Sequence, residues 1–150
     1  MARAIELAAE NARTGRGGPF AALVVRDGAV IAAGVNRVTS SNDPTAHAEI
    51  VAIREACRVL GHFQLTGCEI YASCEPCPRC LGAIYWARPA RVFFAGTRAD
   101  AAAAGFDDSF IYDEFQAPLA GRRIPMVPLM RQEAVRAFRE WQATTGRIPY

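Results

Sequence analysis

The 150-residue sequence has no lysine: all 17 of its basic side chains are arginine, set against 15 acidic ones. The formal charge of +2 is too small a surplus for an extended phosphate-binding face. The missing lysine matches a coding bias and carries no functional meaning. No apolar run approaches the roughly 18 residues of a membrane span. The opening stretch, Met1-Ala2-Arg3-Ala4-Ile5-Glu6-Leu7, breaks its apolar residues with charges where a signal peptide would be continuous. A cytoplasmic protein is expected. Repeats, low-complexity tracts and linkers are absent too, so one domain spanning residues 1–150 is expected. With 51% apolar and 21% charged residues, disorder, collagen and coiled coil are excluded. Cysteine is scarce and odd in number, at five, yet Cys74, Cys77 and Cys80 fall within seven residues. In a reducing compartment that clustering favours a metal over disulfides.

Hydrophobic periodicity gives an order of elements. Residues 2–14 read as a helix with Ile5, Ala8, Ala9 and Ala12 on one face, stopped by Gly15-Arg16-Gly17-Gly18-Pro19. Strands at 20–26 and 29–34 flank Asp27-Gly28, a hairpin signal that makes the pair antiparallel. Asp43-Pro44 reads as the N-cap and first-turn proline of a helix bearing Ala46, Ile50, Ile53, Cys57 and Leu60 and ending at Gly61. A strand at 69–73, a helix at 77–87 and a strand at 90–96 follow. A strand at 124–130, weakened by Pro125 and Pro128, precedes an amphipathic helix at 132–144 with Val135, Phe138 and Trp141. Strand–helix–strand alternation implies parallel pairing. The expected fold is α/β: a three-layer α/β/α sandwich around a mixed five-stranded sheet.

Two of these helix starts carry chemistry. Cys77 and Cys80, three apart, bring their sulfurs to one side of a first turn, and the partial positive charge of a helix N-terminus favours the thiolate form. His47 and Glu49, two apart, would diverge on a helix interior and can share a site only off a helix end. A zinc ion accepts an imidazole and two thiolates and, in catalytic sites, keeps its fourth position for water. His47-Ala48-Glu49 with Pro76-Cys77-Pro78-Arg79-Cys80 is the pattern of zinc deaminases, in which the Glu is not a ligand and moves protons. A closed structural zinc with Cys74 as fourth ligand remains open on spacing alone, although Glu49 argues against it. Cys57 and Cys68 read as small buried hydrophobes, and His62 as a capping or surface residue.

At these motifs the sequence resembles the cytidine deaminase-like superfamily and, over nearly its whole length, the bacterial guanine deaminases within it. Beyond the two motifs, the resemblance is carried by Gly17-Gly18-Pro19-Phe20, the 39–49 stretch ending in His47-Ala48-Glu49, the 81–89 stretch after Cys80, and Gly105-Phe106-Asp107-Asp108-Ser109 with Tyr150. It implies hydrolytic deamination of guanine at C2 to xanthine and ammonia, with zinc-bound hydroxide as nucleophile and Glu49 as proton shuttle. It further implies Asp108 as a second catalytic acid and Phe20, Asn36, Ala48, Trp86 and Tyr150 as substrate-binding residues. Asn36 would read the purine edge with both a donor and an acceptor. From spacing alone, Phe20 and Trp86 read equally as core, Asn36 as a turn residue, Asp108 as a loop acid and Tyr150 as a frayed end. The resemblance also implies a homodimer that exchanges the helix and tail at about 131–150. Arg79 stands where the family more often has Met. Guanosine, another aminopurine or an aminotriazine fits the same motifs, as does the adenosine of a tRNA, although Asp107, Asp108, Asp113 and Glu114 would repel a phosphate backbone.

Overall fold

The computed structural model describes all residues, 1–150. Asp27 and Gly28 both take positive φ, 51° and 78°. That backbone matches the twist of the flanking strands and closes a two-residue hairpin between β1 (Ala21–Arg26) and β2 (Ala29–Val35). The strands are antiparallel, with an irregularity between Val24 and Val25. On its other side β1 pairs antiparallel with β3 (Cys68–Cys74), which pairs parallel with β4 (Arg91–Gly96). The result is a mixed sheet in the order β2-β1-β3-β4.

Helices cover the sheet according to the alternation of its side chains. Ala22, Val24, Ala32 and Ile70 form one buried cluster with Ala48, Ala52 and Ala56 of α3 (Ala48–Leu60) and with Ile84 and Ala87 of α4 (Pro78–Ala87). Ala21 and Leu23 point the other way and are equally buried, on the face where α1 (Ala2–Arg13) lays Ala4 and Ala8 against β1 and β3. Small residues at the α3 contact allow close approach. A Cβ on Gly34 would lie 2.3 Å from the carbonyl oxygen of Ala48 and 2.5 Å from the amide nitrogen of Ala52.

Several expectations need correction. The face of α1 is rotated: Ala4, Ala8 and Asn11 are buried while Ile5 is half-exposed. The cause is polar, since the Asn11 amide donates to the carbonyls of Gly18 and Asn36, both at 2.9 Å, and fixes the helix about its axis. Asp43-Pro44 does not start α3. Asp43 instead accepts from the Thr45 amide and hydroxyl at 2.8 and 2.7 Å, a local turn that competes with helix, and a short α2 (Val38–Ser41) precedes it. Helix α3 begins later, with His47 as its N-cap. The sheet has four strands, not five, because residues 124–130 form no ladder. Pro125 and Pro128 remove two of the donors a ladder needs.

The chain divides into two compact units, Met1–Asp108 and Ser109–Tyr150. The first ends with α5 (Arg98–Ala103), which periodicity did not reveal; its signal is a capping box in which Thr97 and Asp100 each accept the other's backbone amide. The second contains α6 (Ser109–Gln116) and α7 (Arg131–Ala143) and has no fully buried residue. No helix is long and apolar enough to cross a membrane.

The tight seat of α3 on β2 gives a test. Gly34→Ala is expected to lower unfolding free energy by about 1–3 kcal/mol in chemical denaturation, because the methyl group meets backbone that cannot rotate away.

Candidate active site

Helices α3 and α4 start side by side. His47, extended at φ −69° and ψ 156°, caps α3, and Cys77, extended at φ −64° and ψ 165°, caps α4 with Pro78 as its first helical residue. These starts point the His47 Nδ1 at both sulfurs, 3.5 Å from Cys77 Sγ and 3.5 Å from Cys80 Sγ. All three donor atoms lie within 4.8 Å of one another. A tetrahedral zinc at about 2.0–2.3 Å from each donor would space them by roughly 3.3–3.8 Å, so the set fits such an ion. Cys74 is not in the group. Its Sγ lies 3.6 Å from the Thr97 carbonyl, to which it donates, instead of turning toward His47 Nδ1. The structural-zinc alternative therefore lacks its fourth protein donor.

The two ligand thiols titrate as a pair. Cys80 donates to Cys77, which, with help from His47, brings the first proton down to about 4 against the cost of burial. The same hydrogen bond, with burial and the Glu49 carboxylate, holds the second proton on Cys80, while Arg79 opposes it.

A cavity of about 260 Å³ opens over this cluster. Phe20, Asn36, His47, Glu49, Cys77 and Asp108 all stand in its wall, while Cys80 lies buried behind. Glu49, the second residue of α3, is buried, and burial, then the neighbouring Cys77, raises its carboxyl above the usual range against its own backbone amide and His47. Burial, Cys77 and Asp107 raise the Asp108 carboxyl too, against its own backbone amide and Arg98. Two acids biased toward the protonated form thus face one space. Asn36 is pinned: its Oδ1 accepts from the amides of Val38 and Gly18 at 3.2 and 3.4 Å, and its own carbonyl accepts from Asn11. With both lone pairs engaged, only its amide N–H groups remain to offer, so the expected acceptor half is not available.

Two expected residues lie outside the cavity wall, and a third belongs to the second unit. Ala48 is buried under β2, its carbonyl against Gly34. Trp86 is exposed on α4 and not in the cavity wall, and Tyr150 is exposed at the end of the second unit. Others were missed. Phe106 meets Phe20 edge-on, with centroids 4.9 Å apart, and Arg98 stands in the wall with its amide donating to Glu75 at 2.9 Å. The Thr97-x-x-Asp100 box was the signal that could have placed Arg98 at a helix start; nothing in the periodicity marks Phe106.

The model of the cytidine and deoxycytidylate deaminase zinc-binding region matches residues 1–96, which contain all three donors and Glu49. The chain belongs to this deaminase family. The deaminase is 55% identical to the guanine deaminase of Bacillus subtilis over its full 150 residues, covering 96% of that protein, and superimposes on its X-ray structure with a TM-score of 0.96 over 99% of this chain and 94% of that one. A guanine deaminase structure from Nitrosomonas europaea is 33% identical, with a TM-score of 0.67 over 95% and 82% of the two chains. A tRNA-specific adenosine deaminase of Agrobacterium fabrum is 47% identical over 76 residues, 51% of this chain and 50% of that one.

The ligand set has a direct consequence for metal content. Cys74→Ser is expected to keep about one zinc per chain by elemental analysis, as a three-ligand site requires, whereas His47→Ala or Cys80→Ser loses most of it.

Proposed function

We propose that this deaminase acts on guanine, replacing the 2-amino group with oxygen so that guanine and water give xanthine and ammonia. The observation that carries this is one cavity wall that brings His47 and Cys77 of the three-donor cluster together with the buried Glu49 and with Asp108. Full-length similarity to the Bacillus subtilis guanine deaminase supports the choice of substrate. When held by His47, Cys77 and Cys80, zinc supplies a coordinated water acidic enough to attack at neutral pH.

The chain's own residues do the rest. Glu49 takes a proton from the attacking water and delivers it to the ring nitrogen beside the reacting carbon; its raised proton affinity suits a group that must both accept and release. Asp108, also raised, brings a proton toward the departing amine. Two acids let each proton path have its own carrier. Asn36 donates to an acceptor on the purine edge, and Phe20, held edge-on by Phe106, offers its face to the ring. The positions of Ala48 and Trp86 give no support to direct substrate contact.

The protein works as a homodimer in this reading, with the segment at about 131–150 exchanged between subunits and Tyr150 serving the neighbour. Two features support it: the 109–150 unit buries no residue fully, and Phe138 and Trp141 of α7 are exposed. Five unpaired cysteines fit a reducing cytoplasm.

Purified enzyme offered guanine, guanosine, adenine, adenosine, cytosine, cytidine and an anticodon stem-loop is expected to release ammonia from guanine, with xanthine absorbance rising in step. Glu49→Ala is expected to lose at least about 10³-fold in kcat while keeping its zinc. Inosine in the RNA with no xanthine from guanine would favour the tRNA reading instead. For the assembly, light scattering is expected to give a dimer for the full chain, and removal of residues 146–150 is expected to cost both dimer and activity. A fully active monomer would contradict the exchange.

A further inference from the structure

Two nitrogens of one guanidinium break the pattern of satisfied buried polar atoms. Nε and Nη2 of Arg79 are shut off from solvent and have no hydrogen-bond partner. Burying part of a cation without partners is costly, and such groups in a native fold call for an explanation. The remaining nitrogen, Nη1, donates to the carbonyl of Pro44.

The location of this bond is informative. Arg79 lies between Cys77 and Cys80 in the first turn of α4, and Pro44 lies three residues before His47 in the turn that leads into α3. The side chain therefore crosses between the two segments that supply the donors. No carboxylate forms an ion pair with it, and Asp43 directly precedes the Pro44 whose carbonyl it holds. Asp43 is in turn tied down by Thr45 and pulled by Arg54, so the turn before His47 is braced at two points.

We propose that Arg79 is a positioning residue for the metal centre: it ties the first turn of α4 to the turn before α3 and sets a desolvated cation beside the charge that two thiolates bring to the ion. Two thiolates in one donor set repel each other, and a fixed cation lowers the cost of holding both. The tie keeps the imidazole in register with the sulfurs, so the chain does not have to reorder as it binds. An apolar side chain of similar length would fill the space but supply neither bond nor charge. The proposal rests on His47, Cys77 and Cys80 being the ligands.

The test follows zinc release from loaded enzyme into an excess of a chromophoric chelator. Arg79→Met is expected to release zinc about 10–100-fold faster than wild type, and Arg79→Lys, which keeps the charge and one donor, within about threefold of wild type. Release from Arg79→Met within about twofold of wild type, or equally fast release from the Lys and Met variants, overturns the proposal. Where Arg79→Met does not fold, Arg79→Gln, which keeps an amide donor without charge, is expected to lose zinc about 10-fold faster, under the same twofold limit. In cobalt-loaded protein the sulfur-to-metal charge-transfer band is expected to shift in Arg79→Met and return in Arg79→Lys; coincident bands in all three proteins overturn it. Wild-type protein that binds no zinc at all would contradict the ligand set instead, an outcome separate from any difference among the Arg79 proteins.

Discussion

Everything in the first unit serves the meeting of two helix N-termini. Each supplies unpaired amides and a partial positive charge, and each begins with an extended residue whose side chain leaves the helix axis: His47 on α3 and Cys77 on α4. A side-on arrangement could not do this, because His47 and Glu49 would then face opposite ways. Capping solves the geometry and the electrostatics together. His47 stands just outside the helix, Glu49 enters its first turn, and the positive ends of both helices favour the anionic sulfurs. The parallel pairing of β3 with β4, bridged by α4, and the close seat of α3 on Gly34 of β2 bring the two starts to the same end of the sheet.

The charges in the cavity are divided between roles by their surroundings. Cys77 and Cys80 each bring Sγ to 3.5 Å from His47 Nδ1, whereas Cys74, three residues earlier, turns its Sγ to the Thr97 carbonyl at 3.6 Å. That difference separates a ligand from a bystander more clearly than sequence spacing does. Glu49 and Asp108 are both pushed up by burial and by the neighbouring Cys77.

What could be read in the sequence was what local chemistry determines. Asp27-Gly28, the αL cap at Gly61 and the paired motifs around His47 and Cys77 each carry their reason within a few residues, and the hairpin, the end of α3 and the donor cluster follow from them. The errors come from long-range contacts or from local alternatives of similar strength. Asn11 gives no sign in the sequence that its amide will be buried against Gly18 and Asn36, yet that contact rotates α1 and leaves Ile5 half-exposed. Asp43-Pro44 has the residues of a helix start and forms an Asx turn instead, because Thr45 offers two donors at once. The apolar residues at 124–130 lack a ladder because two prolines interrupt their donors. Asn36 shows the same limit: the engagement of its oxygen by the amides of Gly18 and Val38 is visible only in three dimensions.

X-ray absorption at the zinc edge of the loaded protein tests the donor set most directly. Two sulfur scatterers at about 2.3 Å and two lighter ones at about 2.0–2.1 Å are predicted, one from His47 and one exchangeable with solvent or an added ligand. Three or more sulfur scatterers, or a shell that no added ligand perturbs, would mean a closed structural ion and would contradict a hydrolytic centre at this site.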